Sequence, residues 1–289
     1  PPNCEKKKRY EAVSAPEEFD YELSEPNLLP LDSARCYVDG EYFCEGYILT
    51  VDEKLRDKFS LPRRHGEMIQ PWFKDKFCPA PKAVCRVTLV FEFSVNETPK
   101  DVYLMTEDAS ADIAINGVTL AEKEISNGFI DVCFKKIKLP VNSLKIGRNE
   151  IAVSFDFTDR YDIESVYLIG TFGVSENDEI TLMPKTLRAG DVCKQGLKYY
   201  GGRIKYSAPF PNGNYKITLS ELPAAIAYFN DSPVAFLPYE TEFAVTNGTL
   251  TAETVFTRQN AFGTTVTDGK RDGFIPQGLP EILTISKRV

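Results

Sequence analysis

Histidine is almost missing from this sequence, and so is tryptophan: His65 and Trp72 are the sole examples in 289 residues. One histidine cannot build a multi-histidine metal site. It could act as the base of a nucleophilic triad, but Pro62-Arg63-Arg64-His65-Gly66 is a loop motif and no G-x-S-x-G elbow accompanies it. His65 therefore reads as a surface residue. The seven cysteines are Cys4, Cys36, Cys44, Cys78, Cys85, Cys133 and Cys193; their number is odd and none forms a C-x-x-C pair. That argues against zinc and against a disulfide framework, and for reduced, mostly buried thiols in a cytoplasmic protein. Cys193 is a candidate reactive thiol, although a cysteine at a strand edge is ordinarily inert.

Other absences narrow the field further. No apolar run reaches eighteen residues, so no transmembrane helix and no membrane partner are expected. There is no phosphate-binding glycine loop and no alternating βα pattern, which removes Rossmann and TIM-barrel folds. No D-x-D-x-D-G loop supports a structural calcium, and no cofactor is expected. Positive charge is in deficit: 34 Lys and Arg stand against 42 Asp and Glu, a net charge of −8. Nucleic-acid binding, which needs a basic face, is disfavoured. The one dense basic cluster, Lys6-Lys7-Lys8-Arg9, reads as a solvated end. The N-terminus, Pro1-Pro2-Asn3-Cys4, has neither Met nor an apolar signal region and reads as an internal cut in a longer protein. Asn96-Glu97-Thr98, Asn230-Asp231-Ser232 and Asn247-Gly248-Thr249 match the glycosylation pattern, which carries little without a secretory signal.

What the chain does have is strand pattern. Cys85 to Val95 alternates, with Val87, Leu89, Phe91 and Phe93 on one face, and Ile151 to Phe157 alternates again. Asp39-Gly40 and Asn116-Gly117 are hairpin dipeptides. Ala111 to Leu120 reads as strand, turn, strand, and a fainter echo returns at Ala224 to Val234. One short helix is expected over Asp52–Leu61, stopped by Pro62, and Met68 to Phe73 is expected as a loop holding Trp72. Residues 1–30, punctuated by Pro16, Pro26 and Pro30, read as an extended tail or linker. The polar break Ser175-Glu176-Asn177-Asp178-Glu179 is the expected domain boundary. The fold expectation is all-β with little helix: two β-sandwiches in tandem, over 31–175 and 176–289.

Candidate chemistry is sparse. Acidic residues are plentiful (Glu107, Asp108, Asp112, Asp131, Asp156, Asp159, Asp162, Glu164), but a glycosidase needs two of them facing each other across a sugar. Sugar binding needs aromatic faces for the ring and polar groups for its hydroxyls. Gln195 to Arg203 offers Tyr199, Tyr200 and Arg203 beside glycines, and Gln70 with Trp72 is a second candidate. Packing of the same aromatics in the core or between domains is the competing reading.

Ile113-Ala114-Ile115-Asn116-Gly117, followed by Leu144-Lys145-Ile146-Gly147-Arg148-Asn149, resembles the V-x-V-N-G and L-K-x-G-x-N run of the galactose-binding-like jelly rolls of family 2-related bacterial glycoside hydrolases. Ile163 to Val174 resembles the end of that module, and Gln195 to Tyr206 resembles the Q-G-x-x-F/Y-Y-x-G-x-I-x-Y opening of a second one. The second half departs, with Asn230-Asp231-Ser232 in place of the Asn-Gly turn. The resemblance implies jelly-roll accessory domains at the C-terminal end of a larger hydrolase, with carbohydrate and the catalytic remainder of the same polypeptide as partners. It carries no catalytic residue onto this chain. The leading expectation is non-catalytic carbohydrate binding or substrate positioning. Purely structural bracing or oligomerisation is one alternative. A glycosidase with carboxylates at the interdomain cleft is another.

Overall fold

The computed structural model describes residues 8–64, 70–222, 226–263, 265–267 and 270–289. The chain opens with β1 (Tyr10–Val13) and β2 (Asp20–Leu23). Next come β3 (Asn27–Leu31), β4 (Ser33–Val38), β5 (Glu41–Tyr47) and the helices α1 (Ile48–Lys58) and α2 (Pro71–Phe77). They are followed by β6 (Cys85–Val95), β7 (Tyr103–Thr106), β8 (Asp112–Ile115), β9 (Val118–Thr119), β10 (Ile125–Asn127) and β11 (Lys135–Lys138). Then run β12 (Gly147–Phe157), β13 (Val166–Gly170), β14 (Gly173–Val174) and β15 (Glu179–Thr181). The last stretch holds β16 (Arg203–Pro209), β17 (Gly213–Leu219), β18 (Ile226–Phe229), β19 (Ser232–Val234), β20 (Glu240–Val245) and β21 (Thr249–Val255). A small hairpin, β22 (Thr265–Thr267) and β23 (Lys270–Asp272), precedes β24 (Leu283–Arg288). The fold is all-β, built from sheets that pack as sandwiches.

These strands sort into two units that are nested in sequence. An inserted module takes residues 28–182 together with 265–272; a framing module takes 1–27, 183–264 and 273–289. The framing module thus begins before the inserted one and resumes after it. β1 pairs with β24, and β2 pairs with β16. Within the stretch expected from sequence to be a tail, Tyr10–Val13 and Asp20–Leu23 are therefore strands, held by partners about 180 or more positions away in the chain, as the register Tyr21↔Tyr206 and Tyr10↔Arg288 shows. β3 runs through Pro30 at the end of its sheet among the described residues, and edge strands are where a proline is tolerated. The polar break at 175–179 is a turn between the paired strands β14 and β15, inside the inserted module.

The two modules share one strand order. In the framing module the sheets run β19-β18-β21-β16-β2 and β1-β24-β17-β20; in the inserted module the corresponding paths are β9-β8-β12-β6-β4 and β3-β13-β7-β11. Read along the chain, β3, β4, β6, β7, β8, β9, β11, β12 and β13 match β1, β2, β16, β17, β18, β19, β20, β21 and β24 in unbroken order. The inserted module adds β5, β10, β14, β15, the β22–β23 hairpin and both helices. The echo between the two hairpins seen in sequence is thus part of a match that extends over both sheets.

Alternation sets what each strand buries. In β6, Cys85, Val87, Leu89, Phe91, Phe93 and Val95 face inward, and in β12 Asn149, Ile151, Val153, Phe155 and Phe157 do so. The framing core draws Ile204 and Tyr206 from one sheet and Tyr215, Ile217 and Ile285 from the other. Helix α1 begins earlier than the sequence suggests. Its buried positions Ile48, Val51, Asp52, Leu55 and Arg56 recur at helical spacing. The stretch around Trp72 is α2, a short helix with Pro71 at its first turn, where a missing N–H is harmless. His65, Met68 and Ile69 lie outside the described residues.

Candidate functional site

The outer face of the framing module's β19-β18-β21-β16-β2 sheet carries a concavity lined by charged, polar and aromatic side chains. Because β16, β18 and β21 alternate, Ile204, Tyr206, Ala227, Phe229, Ala252 and Thr254 turn into the core. Their neighbours turn outward. The register places Lys205 opposite Glu253, and Glu253 opposite Tyr228, in one row across three strands. Arg203 and Ile226 both lie opposite Val255 in the next row. Together with Asn230, Asp231 and Thr251 these side chains line a concavity of about 540 Å³. Arg203 Nη1 stands 3.6 Å from Glu253 Oε1, and the Arg203 side chain is 65% exposed. This is a loose pair, with donors on the guanidinium still free to meet a ligand. The site therefore offers one aromatic ring, two cations, two carboxylates and a hydroxyl on one sheet face.

The equivalent face of the inserted module is different. Counting back from the hairpin asparagines Asn116 and Asn230 matches Ala114 to Tyr228; the registers then match Ala152 to Glu253 and Val90 to Lys205. Where one module carries a Lys-Glu-Tyr row, the other carries Val-Ala-Ala. Its charges are consumed in ion pairs: Arg86 binds Asp112 and Asp156, and Arg35 binds Glu92 and Glu150.

Of the sugar-binding candidates named from sequence, Arg203 alone falls in this concavity. Tyr199 and Tyr200 are 2% and 1% exposed. Their rings pack edge-on against Phe274 and Phe256, and Tyr200 Oη donates to the Arg203 carbonyl at 2.6 Å while accepting the Ser24 N–H at 3.0 Å. Neither ring offers a free face, so the sugar-platform expectation for these two gives way to a core role. Gln70 and Trp72 belong to the inserted module. Trp72 is 68% exposed and meets Phe73 edge-on, with Phe77 also exposed. The rings are not coplanar, standing at 82° and 44° to their neighbours, and form no flat platform. Sequence reading missed Lys205, Tyr228 and Glu253. The signal was the outward phase of the alternation, since Tyr228 sits between the inward Ala227 and Phe229.

The acidic residues divide by environment. Glu107, Asp108, Asp162 and Glu164 line a second cavity of about 270 Å³ in the inserted module, floored by Leu89, Phe91, Val153 and Phe155. Burial and the neighbouring Glu164 and Asp162 raise the Glu107 carboxyl above its ordinary range. Glu164 and Asp162 are held by Arg64, and Asp108 accepts bonds from Ser110 and Tyr161. Asp131 accepts the Cys133 N–H, and Asp159 binds Lys74. Burial pushes the Cys193 thiol up to about 12, which leaves it a poor nucleophile. Among the described residues no group of three or more His, Cys, Asp or Glu could hold a metal ion, and no helix is long and apolar enough to cross a membrane.

No protein-family model and no curated protein matches the chain. Among solved structures it is similar to a rhamnosidase from Novosphingobium sp. PP1Y, at 16% identity over 73% of this chain and 23% of that one, with a TM-score of 0.27. It is similar also to a β-D-mannosidase from Dictyoglomus thermophilum, at 13% identity over 80% of this chain and 31% of that one, TM-score 0.31. An anti-sigma factor domain-containing protein matches at 9% identity over 69% of this chain and 86% of that one, TM-score 0.20. The chain spans less than a third of either glycosidase. Scores this low carry no correspondence of sites.

Proposed function

We propose that the framing module is a non-catalytic glycan-binding domain, accessory to a catalytic domain elsewhere in the same polypeptide, and that the ligand lies across β16, β21 and β18. The observation behind this reading is the row Lys205-Glu253-Tyr228 with Arg203 beside it, in a concavity of about 540 Å³. Tyr228 supplies the ring against which the apolar face of a sugar stacks. Arg203 and Lys205 donate to hydroxyls, and Glu253 accepts from them. The two cations are balanced by Glu253 and Asp231, so the face suits a neutral sugar better than an acidic one. The cytoplasm, with its reduced thiols, is the proposed compartment. Calorimetry of the whole chain against neutral and uronic-acid oligosaccharides tests the reading. Heat with a neutral oligosaccharide, abolished in Tyr228→Ala, is the expected result; silence across both sets overturns it.

A second reading, bracing or self-association, is favoured by one observation: α2 presents Trp72, Phe73 and Phe77 to solvent while Lys74 and Asp75 are tied to Asp159 and Arg160. Light scattering that shows a dimer, lost in Trp72→Ala/Phe77→Ala, would support it. Hydrolysis of aryl glycosides by the chain would instead favour a catalytic role, tested first at Glu107 in the inserted module's own cavity.

A further inference from the structure

We infer that Cys36 and Cys44 are a dithiol site that closes to a disulfide on exchange with a low-molecular-weight disulfide of the oxidised-glutathione class. The two residues are direct partners across the β4–β5 ladder. Facing residues of antiparallel strands have Cα atoms about 4.5–5.5 Å apart and side chains on the same face, which falls within the span of about 4.4–6.8 Å that disulfides bridge. Both thiols are free, and they are hydrogen-bond neighbours of each other.

The local backbone allows the small approach that bonding requires. The register of the ladder shifts immediately after Cys36, a bulge that loosens the pairing there. β5 has β4 as its sole strand neighbour among the described residues, so it can move without breaking a second ladder. It leads directly into α1, so a bond at Cys44 would fix the strand from which that helix departs.

The order of events follows from burial. Cys36 is fully buried and Cys44 only partly so. Burial pushes the Cys36 thiol up to about 12 and raises Cys44 as well, so few thiolates are present at neutral pH and exchange is slow. Cys44 attacks first: its thiolate displaces one thiolate from the small disulfide and leaves a mixed disulfide. The Cys36 thiolate then attacks the Cys44 sulfur, and the second small thiolate departs. Two protein thiols are oxidised, one small disulfide is reduced to two thiols, and the two protons released from the cysteines end on those products. In a reducing compartment the pair stays a dithiol; outside it, the edge strand is stapled.

Trypsin isolates the site cleanly, because Arg35 and Lys54 flank a segment containing no other Lys or Arg and no cysteines beyond these two. The whole folded chain is incubated with oxidised glutathione, alkylated, digested without reductant and weighed. The expected result is that peptide 36–54 appears about 2 Da lighter than its dithiol form, takes no alkyl group, and reverts on reduction. Cys44→Ser, at the less buried position, should lose that species, along with any rise in melting temperature that oxidation gives the parent. A peptide alkylated at both cysteines, one that carries glutathione as the end product, or one joined to Cys85 or another cysteine overturns the inference.

Discussion

Asn116 and Asn230 make the same reciprocal pair of bonds in the two modules. Asn116 donates its backbone N–H to the Glu150 carbonyl at 2.9 Å and accepts the Glu150 N–H with Oδ1 at 3.0 Å. Asn230 donates to the Thr251 carbonyl at 3.0 Å and accepts the Thr251 N–H at 3.0 Å. Each amide extends its ladder by one bond beyond the strand end, with the backbone at φ of +49° and +41°. Asn116 also donates to the Ser143 carbonyl and to Asn149 Oδ1, whereas Asn230 adds only a longer bond to Thr249. Alanine at 116 should therefore cost about 2–3 kcal/mol and alanine at 230 about 1–2 kcal/mol, from lost bonds and from a side chain in the left-handed region. Urea unfolding of each variant checks this; equal, near-zero losses would show that the amides are dispensable.

The turns differ at the next residue. Gly117 has φ +84°, while Asp231 takes +67° without glycine's freedom. Replacing Asp231 by Gly should stabilise the framing module by about 0.5–1 kcal/mol through relief of that strain. A melting temperature below that of the parent would mean the Asp231 side chain contributes more than its backbone costs.

Asp108 gives the clearest dependence on pH. Burial acts to raise its carboxyl, but bonds from Ser110 and Tyr161 and from the Ser110 and Ala111 N–H groups outweigh it, and the net shift is downward. The folded carboxyl holds its proton less tightly than the unfolded one. Ionised Asp108 therefore stabilises the native state above the unfolded value of about 4, and that contribution fades as pH falls through the lowered folded value. Asp108→Asn should cost about 1–2 kcal/mol at pH 7, with the gap to the parent closing in more acidic solution. A gap that stays constant from neutral to strongly acidic pH would remove Asp108 from the acid limb.

Strand identity was legible because period-two alternation survives in residues such as Val87 to Phe93, and Asn116-Gly117 announces its turn. The nesting was not legible. Nothing local in Asp20–Leu23 shows that its partner is Ile204–Ser207, since pairing depends on a surface assembled from distant strands. The aromatics near the glycines misled for a related reason. A Cβ on Gly202 would come within 2.6 Å of Tyr200 Oη and Glu25 Cγ, so this glycine reflects close packing over a buried ring. Exposed backbone for a ligand would have left that space open. Arg203 could be found because it follows that motif. Lys205, Glu253 and Tyr228 come from three separate strands, and only the register makes them one row.

Tyr200 and Tyr228 therefore separate core from site in a single experiment. Tyr200 is buried, with its hydroxyl bonded to two backbone groups. Tyr200→Phe should cost about 1–2 kcal/mol of stability and Tyr200→Ala about 3–5 kcal/mol, with no change in the affinity of whatever still folds. Tyr228 is half-buried on the outer face and lines the concavity. Tyr228→Ala should leave the unfolding midpoint almost unmoved and weaken binding of a neutral oligosaccharide by roughly tenfold or more, the equivalent of about 1.4 kcal/mol. Glu253→Gln should weaken it less, because the amide still accepts a hydroxyl while the loose partner of Arg203 is lost. If Tyr228→Ala unfolds the module, or binds sugar as the parent does, the outer face is not the binding surface. The Val90-Ala152-Ala114 row of the inserted module serves as the built-in control. Placing tyrosine at Ala114 should create no affinity by itself, because Ala152 and Val90 give a bound sugar nothing to bond.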